Sequence, residues 1–258
     1  MNPNGAAPAE PALVIRGLVK VYGNLIAVAD LSLDIPVGSF YGIVGPNGAG
    51  KTTTLTMATG LLRPDRGTAF VYGVDVWGDT AKARSLLGVM PDGMRLLDKL
   101  SGPDFLIHVG MLHGVDRATA SDRSNQLLQA LDLTEAGKKL IADYSAGMTK
   151  KIALAAAMIH SPKLLVLDEP FEAVDPVSAA NIRQILMDYT KRGGTVILSS
   201  HVMATVQQLC THVAVINHGR VLAAGTTAEV AQGGDLDARF AQLVGGVHNE
   251  EGLTWLGN

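Results

Sequence analysis

Among 258 residues there is a single cysteine, Cys210, so no internal disulfide can form. That scarcity fits a reducing compartment, and Cys210 itself reads as a small buried hydrophobe in place of a reactive thiol. An excess of basic charge is also missing: the formal net charge is −3, without the basic face of a dedicated nucleic-acid binder. No apolar run approaches the ~18 residues needed to cross a bilayer. The longest candidates, residues 152–159 and 164–167, are far too short. Residues 1–12 lack both the basic start and the apolar core of a signal peptide and resemble a loose terminus. No internal repeat or low-complexity block is visible. These absences predict a soluble, cytoplasmic protein.

What is present suits a sizeable core. Hydrophobic residues make up 47% and charged residues 17%, which excludes a disordered chain and suits one large α/β domain with a smaller subdomain. The most informative stretch is Gly45-Pro46-Asn47-Gly48-Ala49-Gly50-Lys51-Thr52-Thr53. An apolar run at 40–44 precedes it and reads as a buried strand; residues 51–58 follow it and read as a helix. Strand, glycine loop and helix carrying G-x-x-x-x-G-K-[ST] form the P-loop pattern. Gly45, Gly48 and Gly50 free the backbone to turn successive N–H groups onto one anion, and the helix N-terminus adds partial positive charge. Lys51 supplies a mobile ammonium for outer phosphates, and the Thr52 hydroxyl suits Mg²⁺. An ordinary glycine turn would need neither the lysine nor the strand–helix frame.

Alternating apolar residues predict strands at 13–22 and 26–35, joined by a turn at Gly23-Asn24. A further strand is predicted at 67–76, a short helix at 81–87 and a strand at 88–90. From Gly93 to about Asp143 apolar residues recur at helical spacing, as in Phe105, Leu106, Val109 and Leu112, which predicts a helical subdomain inserted into the α/β core. Helices at about 147–160 and 177–191 then alternate with strands at 164–167 and 195–199. Two more strands, 213–217 and 220–224, and short terminal helices complete the chain. That alternation implies a mostly parallel sheet.

Ligands of such sheets bind beyond the carboxyl ends of the strands. One strand ends in Asp168-Glu169, where Asp168 suits Mg²⁺ and Glu169 suits a general base for attacking water. Another ends in Ser199-Ser200-His201, and His201 suits a γ-phosphate or that water. Ser145-Ala146-Gly147 opens a helix whose N-terminus can take an anion. His108 and His113 face different sides of one helix and read as structural or solvent-facing. The other histidines show no metal-ligand clustering.

In order and spacing these motifs resemble the ATP-binding subunit of an ABC transporter, over about residues 13–231. Residues 45–53 match the Walker A loop, 164–169 the Walker B strand, Tyr144 to Met148 the signature, Glu172-Ala173-Val174-Asp175 the D-loop, and His201 the switch histidine. The resemblance implies a P-loop NTPase core of the RecA-like kind with a mostly parallel sheet. It adds an antiparallel β subdomain on the N-terminal side and a helical subdomain at about 93–160. Residues 1–12 and 232–258 would be a flexible terminus and a short helical tail.

By the same resemblance two subunits, identical or related, clamp two ATP with Mg²⁺. Tyr22 would stack on adenine, and Lys51 and Thr52 would hold phosphate and metal. Ser145, Ala146, Gly147, Met148 and Asp175 would act on the ATP of the opposite subunit, with Glu169 as base and His201 as linchpin. The partner would be a separate transmembrane permease that places the chain on the inner face of the membrane, with no nucleic acid involved. Three positions depart from the family. Asp92 stands where a glutamine is usual and is a candidate Mg²⁺ ligand. In the signature, Ala146 and Met148 replace a usual glycine and glutamine.

Residues 93–143, with Met94 and Met111, would offer an adaptable docking surface, or those methionines simply belong to the core. About 57 residues follow His201, too few for the regulatory domain that importer subunits often carry, so export is expected. A soluble ABC-type ATPase acting on DNA or ribosomes is the alternative, but it would typically bring coiled-coil inserts or a second cassette. An unrelated P-loop kinase or GTPase leaves Ser145 to Met148 and His201 unexplained.

Overall fold

Leu13–Tyr22 (β1) and Leu25–Ile35 (β2) pair antiparallel, with Leu13 opposite Ile35 and Tyr22 opposite Leu25. The tight connection at Gly23-Asn24 forms because Gly23 adopts a left-handed φ of 57°. The chain then enters Phe40–Val44 (β3), the P-loop and Lys51–Ala58 (α1). Arg66–Val71 (β4) and Val74–Asp75 (β5) follow. The single strand expected at 67–76 is therefore a hairpin. Tyr72 and Gly73 both take positive φ, 46° and 76°, and reverse the chain in two residues. A tyrosine in that conformation is uncommon, which is why the run read as continuous.

Thr80–Leu86 (α2) leads into Leu87–Met90 (β6), and Leu87 belongs to the strand. Three helices follow: Gly102–Leu112 (α3) and Arg117–Ala130 (α4), in the stretch where the helical spacing ran from Gly93 to about Asp143, and Ala146–Met158 (α5), where a helix was expected at about 147–160. Leu164–Asp168 (β7), Pro176–Lys191 (α6) and Thr195–Ser200 (β8) come next. Met203–Leu209 (α7) was not foreseen: it has seven residues and buries only Met203 and Val206, too short a stripe to show a period. His212–Asn217 (β9), Arg220–Thr226 (β10), Thr227–Ala231 (α8) and Leu236–Val244 (α9) complete it.

The computed structural model describes residues 11–245. Most of the terminus expected at 1–12, and the end of the tail expected at 232–258, lie outside that range. Ala12 is no part of a loose terminus: it is buried, and its N–H donates to Ile35 O at 2.8 Å.

Six strands form one sheet in the order β10-β9-β3-β8-β7-β6, and four form a second in the order β2-β1-β4-β5. In the first sheet only β9 and β10 pair antiparallel. Its two faces are told apart by the two-residue period of a strand. Leu165, Leu167, Val196, Leu198, Val213 and Val215 pack with the helical side, among Phe105, Leu106, Ile152 and Leu186. Their neighbours Leu164, Val166, Ile197, Ala214 and Ile216 pack with Leu13, Ile15, Leu31, Leu55 and Met57 of the antiparallel sheet and α1. With both faces covered, β3, β7 and β8 are buried throughout. Their carboxyl ends all open at one edge. That edge carries the P-loop, Asp168-Glu169 and His201.

Candidate functional site

β3 delivers residues 45–50 to the start of α1, and two glycines there leave no room for a side chain. A Cβ on Gly45 would sit 2.2 Å from Ile216 O. Gly50 has φ +100° and would bring a Cβ within 2.4 Å of Ala27 O. The loop is thus clamped between β9 and β2, and no side chain caps α1. First-turn N–H groups without side-chain acceptors make an anion-binding helix end. Asn47, Gly48, Ala49, Gly50, Lys51, Thr52 and Thr53 line a cavity of about 550 Å³, together with Tyr22, Leu25, Ala27, Asp92, Glu169, Glu172 and His201.

The Lys51 ammonium donates to Gly45 O at 2.8 Å and Pro46 O at 3.2 Å. Burial pulls its pKa below the usual lysine value, opposed by Glu169 and Asp168. Those hydrogen bonds are to weak neutral acceptors, so a phosphate oxygen would compete effectively for the ammonium.

At the end of β7, Asp168 is 3% exposed. One carboxylate oxygen accepts from the Ser199 hydroxyl, while the other, Oδ2, is buried without a hydrogen-bond partner. An orphaned anionic oxygen costs roughly 1–3 kcal/mol or more, and a cation would remove that cost. Asp168 therefore fits Mg²⁺, which is held by one or two carboxylates plus substrate phosphates and waters, and Thr52 lies on the cavity wall. Among the described residues no three His, Cys, Asp or Glu side chains converge as an all-protein metal cage.

Glu169 has φ +47°, a left-handed conformation that a glutamate adopts only under constraint. Its N–H donates to Ser199 Oγ at 3.0 Å, so one hydroxyl organises both acids of the strand end. Oε1 lies 3.0 Å from His201 Nδ1. In the sequence Ser199 is only part of a strand end. Its role becomes visible once β7 and β8 are known to be neighbours, with Asp168 opposite Ser199.

Two further residues extend this network. Asp92, just past β6, accepts from Lys150 Nζ at 2.9 Å. That bond holds the Asp92 carboxyl below its ordinary range. Lys150, on α5, stood in no sequence pattern that pointed to the site.

The other predicted residues lie at the cavity's rim or away from it. Tyr22 is half exposed at the cavity's rim, 5.7 Å from Lys20 Nζ measured to the ring centre. Ser145 caps α5 by accepting from Met148 N–H at 3.3 Å, as its sequence position predicted. Ser145, Ala146, Gly147 and Met148 do not line the P-loop cavity. Gly147 instead approaches the D-loop, where an added Cβ would lie 3.4 Å from Ala173 O. Asp175 caps α6, accepting from Val177 and Ser178 N–H at 3.1 and 2.9 Å, with Pro176 at the first helical position. His113 stacks on His160 with ring centres 3.8 Å apart. Both line a groove of about 190 Å³ with Leu61, Val109 and Met94, while Met111 is exposed outside it.

A glycine loop entering a helix beside acid-tipped parallel strands defines a P-loop nucleoside-triphosphate-binding fold. Residues 28–172 match the family described as ABC transporter. The chain belongs to that family, as an ATP-binding cassette. It is 40% identical over 219 residues to the daunorubicin/doxorubicin resistance ATP-binding protein DrrA of Streptomyces peucetius, covering 85% of this chain and 66% of that one. Identity to the linearmycin resistance ATP-binding protein LnrL of Bacillus subtilis is 35%, covering 86% and 72%. Among solved structures, the ATP-binding subunit of an ABC transporter superposes with a TM-score of 0.84 at 26% identity, covering 90% and 99%. A dimeric ATP-binding cassette in a post-hydrolysis state with ADP and Pi shares the fold, with a TM-score of 0.77 at 20% identity over 83% and 98%.

Proposed function

We propose that the chain hydrolyses ATP to drive export through a separate membrane-spanning permease, working as one of a pair of nucleotide-binding subunits. The observation that carries the reading is the Glu169–His201 pair beside the P-loop. A constrained carboxylate stands at the cavity that also holds Lys51 and Thr52. ATP would lie with its phosphates on residues 47–53 and its base near Tyr22. Mg²⁺, held by Thr52 and Asp168, would offset phosphate charge. Glu169 would accept a proton from the attacking water, and His201, on the same carboxylate, would orient that water and the γ-phosphate.

Ser145, Gly147 and Asp175 lie away from their own chain's cavity, which supports a second subunit bringing its signature and D-loop to this ATP. Among the described residues no helix is long and apolar enough to cross a membrane, which supports a separate permease. The groove around Met94 and Val109 would seat it on the membrane's inner face. Relatives named for daunorubicin/doxorubicin and linearmycin resistance, and a Nod factor export ATP-binding protein, support export. The test is to purify the chain from its host with its partners and measure Mg-ATP hydrolysis. A co-purifying membrane-spanning chain that raises turnover is the expected result; co-purification with ribosomes or DNA instead would refute the transport reading.

A further inference from the structure

Lys150 lies one turn beyond the cap of α5 and is 18% exposed. Its ammonium donates to Asp92 Oδ1 at 2.9 Å and to the Glu169 carbonyl oxygen at 3.1 Å, and lies 4.0 Å from Glu172 Oε2. One cation therefore joins three segments: the one after β6, the one after β7, and α5. A hydrogen bond to an ionised group is shorter and stronger than a neutral one, and it is strengthened where water is partly excluded.

The carbonyl it holds belongs to the residue with φ +47°. A non-glycine residue stays in that region only when its surroundings hold it there. On the N-terminal side the Ser199 hydroxyl fixes the Glu169 N–H. On the C-terminal side Lys150 fixes the Glu169 carbonyl. Both peptide planes of the residue are thereby set, and with them the direction in which its carboxylate leaves the backbone toward His201. Asp92 in turn restrains the end of the flexible Lys150 stem with a charge-assisted bond.

We propose that Lys150 is a positioning residue for ATP hydrolysis: aimed by Asp92, it fixes the backbone of Glu169 and so the direction of the catalytic carboxylate. This rests on reading Glu169 as the base. The experiment measures kcat and KM for Mg-ATP in the full chain and in Lys150→Met, Lys150→Arg, Asp92→Asn and the Asp92→Asn/Lys150→Met double variant. Lys150→Met should lose about tenfold or more in kcat with KM within about threefold. Lys150→Arg, which keeps charge and donors, should recover most of the loss. Asp92→Asn should lose less, and the double variant should be no slower than Lys150→Met, because both act through one contact.

An unchanged kcat in Lys150→Met, a loss confined to KM, or losses that multiply in the double variant would overturn the proposal. Glu169→Gln, measured alongside, separates the two readings. If it turns over like the parent, the base assignment fails; if it is inactive while Lys150→Met is unaffected, only the positioning role fails. Should Lys150→Met not fold by circular dichroism, Lys150→Gln takes its place with the same expected outcomes.

Discussion

His201 Nδ1 lies 3.0 Å from Glu169 Oε1, across the gap between the ends of two neighbouring parallel strands. The contact orients a carboxylate whose backbone is already constrained, and it gives the histidine its place at the cavity. Glu169→Gln should keep ATP binding but lower turnover by a factor of about 10²–10⁴, the usual worth of a positioned proton acceptor. His201→Ala should slow turnover too, and the double variant should lose much less than the product of the two. Phosphate release and nucleotide-binding assays on the three variants check this. Independent, multiplying effects would mean that the pair does not act as a unit.

Ser199→Ala removes the hydroxyl that serves both Asp168 and the Glu169 N–H. Asp168 would then have no hydrogen-bond donor on either oxygen, because Oδ2 already lacks one. A loss of about 1–3 kcal/mol is expected for leaving such buried groups unpaired, read as a lower urea midpoint with an unchanged m-value. Added Mg-ATP should recover part of that loss in the variant, since a cation at Asp168 would supply what the hydroxyl did. A midpoint equal to the parent's would mean that the serine is replaceable there.

The main architecture was legible in the residues because its signals are local. Buried strands such as β7 and β8 read as apolar runs, and the spacing of Phe105, Leu106 and Val109 marked α3. Ser145 at the head of α5 was legible for the same reason, since a cap needs only its own helix. What the residues alone do not reveal depends on tertiary neighbours. Ser199 matters because β8 lies beside β7, and Lys150 because α5 passes over the segments after β6 and β7. The hairpin at Tyr72-Gly73 was hidden by a tyrosine in a conformation that composition does not advertise.

His160 gives the chain a pH-dependent stability. Its ring lies against His113, Nε2 donates to Leu87 O at 2.9 Å, and burial pushes its pKa from 6.5 down to about 4. The unfolded chain takes up this proton near 6.5, whereas the folded chain takes it up only near 4. Between those values the unfolded state binds more protons, so stability is full above 6.5 and falls as the pH drops toward 4. From pH 7.5 to pH 5 the loss through this group should be about 1 kcal/mol, because its partial exposure screens part of the shift. His160→Gln should flatten that segment of the curve, measured as urea-unfolding free energy at several pH values. A slope equal to the parent's would place the pH dependence elsewhere.

Two glycines of the phosphate loop test how far its shape is dictated by its neighbours and how far by its own torsions. Gly48 has φ +79° and nothing within 4 Å of an added Cβ. Gly48→Ala should therefore meet only the torsional cost of a left-handed alanine, about 1–2 kcal/mol. Gly50 has φ +100° and would put its Cβ 2.4 Å from Ala27 O and 3.3 Å from Gly219 Cα. That contact is to backbone on both sides, so relief requires β2 or the β9–β10 turn to move away from α1. Gly50→Ala should thus cost clearly more than Gly48→Ala and also weaken ATP binding, because the loop and the first turn of α1 shift together. Denaturant midpoints and nucleotide titrations on the two variants decide it. Equal destabilisation would mean that torsion alone sets the loop, and that the clamp formed by Ala27 and Gly219 yields at little cost.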